Sequence, residues 1–130
     1  MIRAKFWSTV GAGNKVLIPG LVIDGPQPKR LLVRAAGPTL SALGVAGVLA
    51  DPRLEVVDVH GEVLFSNNDW EADNAEATVA AAAKIGAFPF PAGSTDAALV
   101  RTFPQGAYTV RVNGANDTTG IALVEVYEVP

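Results

Sequence analysis

The sequence predicts an all-β fold: a β-sandwich of about eight strands, jelly-roll-like, with one short helix near residues 73–87. Three observations predict it. Of 130 residues, 49% are hydrophobic and only 18% charged, which gives ample material for a core but little to coat several amphipathic helices. Thirteen glycines and nine prolines supply turn signals at the roughly 8–12-residue spacing of sandwiches. Between those signals the apolar residues alternate with period two rather than 3.6. A doubly wound α/β fold would need strands alternating with helices, and only one helix is visible. The length suits one domain over residues 1–130, which can bury about two-thirds of the surface of its unfolded chain.

Each element follows from local chemistry. Residues 4–9 read as a first strand, with Ala4 and Phe6 facing inward and Arg3, Lys5 and Trp7 on the opposite face. Gly11-Ala12-Gly13-Asn14 reads as a hairpin turn. Residues 15–24 form a second strand, bent or at an edge near Pro19-Gly20, because proline cannot donate to a ladder. Residues 29–36 form a third, with Leu31 and Val33 on one face and Leu32 and Arg34 on the other; Gly37-Pro38 stops it. An irregular stretch follows, with one helical turn around residues 40–43. Residues 53–59 and 62–66 make a hairpin across His60-Gly61, where glycine accepts positive φ. Asp73 and Glu76 have the spacing of a capping box, Ala80 to Ala83 favour helix, and Gly86 ends it. Such a small-faced helix is expected to pack flat over an end or edge of a sheet. Strands at 96–103, 107–113 and 120–129 finish the chain. In the second of these, Tyr108, Val110 and Val112 point in. The last is apolar on both faces and therefore reads as central.

Composition narrows function. The net charge is −3, with no block of like charge, so the basic stripe of a nucleic-acid binder is missing. The chain has no cysteine, which removes disulfides and thiolate metal sites. No apolar run reaches the ~18–20 residues of a membrane span, so membrane insertion is not expected. The first seven residues carry charge but neither an apolar h-region nor a cleavage site, and do not read as a signal peptide.

Several segments, taken in order, carry a resemblance: residues 29–40, Leu49-Ala50-Asp51-Pro52, Ser66-Asn67-Asn68-Asp69-Trp70, Gly106-Ala107-Tyr108-Thr109-Val110 and residues 119–127. The series resembles a bacterial extracellular β-sandwich module found near the C-terminal ends of large secreted or surface proteins, and it spans about residues 9–129. The strands closing the chain are also similar to those of bacterial pre-peptidase C-terminal domains, small sandwiches that flank secreted enzymes, some of which bind calcium or matrix. The resemblance implies an extracellular, modular and non-enzymatic protein and carries over no catalytic residue.

His60 is the only histidine and sits in a turn; with no cysteine and no Gly-x-Ser-x-Gly elbow, a nucleophile–base pair has no basis. Gly11 to Lys15 lacks the pattern and the strand-to-helix setting of a phosphate loop. Asn67, Asn68, Asp69, Glu71 and Asp73 could offer oxygens to calcium. Their EF-hand count fails at Asn74 and Ala80, leaving a looser loop site, completed by Asp96 or Asp117, against an Asx-turn leading into a helix. Trp70 reads as a core plug or a sugar platform, and Trp7 as an interface anchor if its face is exposed. Glu55, Asp58, Glu62, Asp69 and Glu71 are the carboxylates a glycoside hydrolase could draw on, but no spacing singles out a pair.

The expectation is a non-catalytic structural or adhesive module, secreted or at the cell surface, acting through protein partners or self-association as a homo-oligomer. The alternatives are a carbohydrate- or matrix-binding module for glycans, assisted by calcium, and a glycoside hydrolase-like enzyme.

Overall fold

Residues 2–11, 16–17 and 20–130 are described by a computed structural model of the chain. The predicted turn at 11–14 and the bend at Pro19 lie largely outside the described residues. The elements run β1 (Arg3–Val10), β2 (Val16–Leu17), β3 (Leu21–Ile23), β4 (Lys29–Ala36), α1 (Pro38–Ala42), β5 (Pro52–Val57), β6 (Val63–Asn67), α2 (Ala75–Ile85), β7 (Ala97–Phe103), β8 (Gly106–Gly114) and β9 (Gly120–Glu128), with a 3-10 turn at Trp70–Ala72.

The strands form two antiparallel sheets, an all-β sandwich. One has the order β1-β9-β4-β7; the other has the order β2-β8-β5-β6, with β3 also paired to β8. β2 and β3 thus lie along the same neighbour. β9 is central as its two-faced apolar pattern requires, lying between β1 and β4. Its Ala122, Val124 and Val126 join Leu31 and Val33 of β4 in the core between the sheets. Its Leu123 and Tyr127, with Leu32 of β4, face a second apolar layer containing Trp70, Ala81, Ala82 and Phe90.

That second layer is where the helix lies. α2 packs on the outer face of the four-stranded sheet over its edge strand β7 and the adjacent β4, burying Thr78, Ala81 and Ala82; of the two expected placements, the edge rather than an end is the one it takes. Alanines let its backbone come close to the sheet while leaving β4 and β9 covered on both sides. The helix also starts one residue later than its capping box suggested: Asn74, in the left-handed region at φ 42°, caps it by accepting from Ala77 N at 3.2 Å. Asp73 is held elsewhere, by Arg101 of β7 at 2.6 and 2.9 Å. Gly86 ends the helix with φ 75°, as read.

The molecule has two poles. At one, Arg3 faces Tyr127 across β1 and β9, Glu128 N donates to Ile2 O at 2.8 Å, and Ile2 N donates to Glu128 Oε1 at 3.0 Å. At the other, β4 ends, β7 begins and the chain crosses between sheets. Close packing there demands glycine at position 37, where a Cβ would sit 2.1 Å from Leu49 O.

Candidate interaction site

The acidic loop after β6 lies at the pole opposite Ile2 and Glu128. Its side chains are dealt out to separate structural partners. Asn67 is buried; its Nδ2 donates to Asp69 O at 2.9 Å and its Oδ1 accepts from Ala98 N at 3.0 Å, stitching β6 to the start of β7. Glu71 accepts from Gly93 N. Asp73 forms the two-toothed pair with Arg101, whose guanidinium is held above its ordinary pKa chiefly by that hydrogen bond. Asn68, with its amide nitrogen turned toward Asp51, donates to Asp51 Oδ1 at 2.7 Å and to Pro52 O at 3.2 Å. Asp69 is exposed. Among the described residues, no three histidine or carboxylate groups converge closely enough to hold a metal ion.

One electrostatic tension remains at this pole. The Asp51 carboxyl is raised above its ordinary pKa, first by partial burial and then by the charge of Asp69. Asp96, considered as a completing ligand, is instead fully buried as a structural hub. Its carboxylate accepts from Gly37 N at 2.7 Å, Thr39 N at 3.2 Å, Ser94 Oγ at 2.7 Å and the Thr39 hydroxyl. Its lone pairs are spent on closing the loop after β4. Asp117 is exposed in the turn after β8.

The two tryptophans separate cleanly. Trp70 is only 5% exposed; its indole N–H donates to Pro91 O at 3.1 Å and its ring meets Phe90 edge-on. It is a core plug, and its ring is not available as an open sugar platform. Trp7 is 60% exposed. It stands on the outward face of β1 with Arg3 and Lys5, and among the described residues β1 pairs only with β9. The Arg3 end of this face is anchored: its guanidinium donates to Ile85 O at 2.9 Å and lies 5.6 Å from the centre of the Tyr127 ring.

The carboxylates considered for hydrolysis are scattered. Glu55 pairs with Arg111 at 3.2 Å. Asp58 Oδ1 accepts from His60 N at 2.8 Å and Glu62 N at 3.0 Å, shaping the hairpin turn in which His60 is exposed.

Sequence reasoning missed the buried pair of Arg34 and Glu125. Arg34 is 1% exposed and Glu125 is fully buried. Arg34 Nε and Nη2 donate to Glu125 Oε1 at 3.1 and 2.7 Å, Nη1 donates to Phe88 O at 2.6 Å, and the guanidinium lies 4.5 and 4.1 Å from the Phe88 and Phe90 ring centres. Tyr127 donates its hydroxyl to Glu125 Oε2, and burial with that bond pushes the phenol well above its ordinary pKa. The available signal was a charge set inside the apolar run of each of two strands, Arg34 within Leu31 to Ala36 and Glu125 within Ile121 to Tyr127. No protein-family model and no curated protein matches the chain.

Proposed function

We propose that the domain is a non-catalytic structural or adhesive module that associates with a second copy of itself through the outward face of β1 and the edge of β1 that, among the described residues, no strand pairs. The observation that carries this reading is Trp7, 60% exposed in the middle of an eight-residue edge strand. Tryptophan is a preferred interface anchor, because a rigid ring removes much apolar area from water at low entropy cost. An edge that no described strand pairs adds backbone donors and acceptors that a second strand can satisfy. Lys5 on the same face favours a partner surface that brings acidic groups, and the chain's own excess of acid, thirteen against ten basic residues, can supply them. The resemblance to bacterial extracellular modules supports a secreted or cell-surface setting.

Sedimentation equilibrium between ~1 and ~100 μM tests the reading, since an associating protein changes mass with concentration. The expected outcome is a species above monomer mass that Trp7→Ala shifts back toward monomer. A strict monomer at the highest concentration overturns it.

A second reading rests on the same indole: Trp7 as a platform for carbohydrate or matrix. It predicts glycan-array binding that is lost in Trp7→Ala, and silence on the array removes it.

A further inference from the structure

Strand edges decide how two copies can join. Among the described residues each sheet has two outer edges. The edge at β2 and β3 is broken into pieces of two and three residues. The opposite edge, β6, has five residues, and its register against β5 shifts between Val56 and Val57. In the other sheet, β7 is covered by side chains: Ala98 N donates to Asn67 Oδ1 at 3.0 Å, and Val100 O accepts from Arg101 Nη1 at 2.9 Å. Short strands, bulges and covered edges all resist strand addition. β1 has eight residues and an unbroken register with β9. Its one protective device is the charge of Lys5, and that charge selects how the edge can pair.

We infer that two copies join β1 to β1 antiparallel, with Phe6 on the two-fold axis and Lys5 opposite Trp7 of the second copy. This rests on the self-association proposed above and specifies its geometry. The product is one continuous sheet running from β7 of one copy to β7 of the other.

The backbone sets the parity. Glu128 N donates to Ile2 O at 2.8 Å, so Ile2 and every second residue after it, Ala4, Phe6 and Ser8, turn their N–H and C=O toward β9. Arg3, Lys5, Trp7 and Thr9 turn theirs toward the outer edge, and these are the residues exposed on the outward face. A slip of one residue would set their N–H groups against backbone that points away. The allowed registers therefore differ by steps of two. One puts Lys5 opposite Lys5, like charges directly across from each other. Another puts Trp7 opposite Trp7 but leaves Arg3 facing Gly11, beyond the end of β1. The register between them pairs Arg3 with Thr9 and Lys5 with Trp7, each twice by symmetry, along almost the whole strand. Each Lys5 ammonium then lies beside the electron-rich face of an indole.

The wild-type chain supplies the main test. Amide exchange is read residue by residue below and above the concentration at which sedimentation shows association. Ala4, Phe6 and Ser8 should be protected at both concentrations. Lys5, Trp7 and Thr9 should gain at least ~10-fold protection at the higher one only. In a mixture of ¹³C-labelled and unlabelled chains, filtered NOEs should link the Ala4 Hα to the Ser8 Hα, the close non-hydrogen-bonded pair of this register. A link from Phe6 to Ala4 or to Ser8 would report one of the other two registers and overturn this one. Lys5→Met keeps the apolar stem and should weaken association about 5- to 30-fold, two symmetry-related cation–π contacts being lost. Unchanged association would overturn the Lys5–Trp7 pairing. A dimer in which Lys5, Trp7 and Thr9 gain no protection overturns edge pairing but leaves association through the Trp7 face standing. A strict monomer overturns both.

Discussion

Each sheet carries an arginine directly opposite a glutamate on a neighbouring strand: Arg34 faces Glu125 across β4 and β9, and Arg111 faces Glu55 across β8 and β5. The residue types and the cross-strand relation are the same, yet the surroundings are opposite. The first pair has side-chain exposures of 1% and 0%, the second 20% and 13%. The first lies beneath the aromatic segment after α2 and engages Phe88 O and Tyr127 as well. The second lies on the sheet that α2 does not cover, where the side chains keep partial contact with solvent; among the described residues, the buried Arg111 Nε has no hydrogen-bond partner. A third layer over one sheet therefore turns an ordinary surface pair into a structural centre. Burial removes water as an alternative partner, so every lone pair and N–H there must be answered by protein.

The sharpest way to break the comparison is Arg34→Ala. It strands Glu125 without its cation and should cost about 3–5 kcal/mol, read from urea unfolding. Replacing both partners with apolar residues of similar volume, Arg34→Met with Glu125→Leu, should recover most of that loss, because the cost lies in the orphaned charge rather than in the missing pair. A double mutant as unstable as the single one would show that Arg34 acts mainly by packing on Phe88 and Phe90.

Phe88→Ala keeps both charges and thins their cover. The expected loss is about 1–2 kcal/mol, combining a cation–π contact with partial apolar burial. Its dependence on salt should also move toward that of the exposed pair, which unfolding in low and high salt would reveal. The smallest effect belongs to Glu55→Gln. A partly solvated pair is worth less than ~1 kcal/mol, and added salt should shrink the difference from wild type further. A loss as large as that of Arg34→Ala would mean that exposure does not separate the two pairs.

How much of this was written locally in the chain depends on the range of the interaction. β4 is bounded as the sequence implied, because alternation, Gly37 and Pro38 lie within the same dozen residues. The Gly86 stop and the His60-Gly61 hairpin are equally local. The helix start was misplaced by one residue because Asp73 is claimed by Arg101, 28 residues away, which leaves the cap to Asn74. Arg34 and Glu125 are 91 residues apart. Nothing short of the β4–β9 register could show that they meet. The acidic run from Asn67 to Asp73 looked like one ligand set because its members are neighbours in sequence. The fold gives four of the five a partner from a different segment, Ala98 to Asn67, Asp51 to Asn68, Gly93 to Glu71 and Arg101 to Asp73, and leaves Asp69 exposed. Trp7 lies where its position suggested, on an exposed strand face, because strand alternation is a local rule.

The reciprocal bonds between Ile2 and Glu128 have a mechanical consequence. β1 and β9 are antiparallel and meet at that pole, so tension applied at the two ends pulls along their hydrogen bonds rather than along the strands. The bonds then carry load one after another, from Ile2 toward Val10. The domain should open under force like a zipper, yielding at low load by peeling its edge strand while the buried β4–β9 seam beneath α2 still holds.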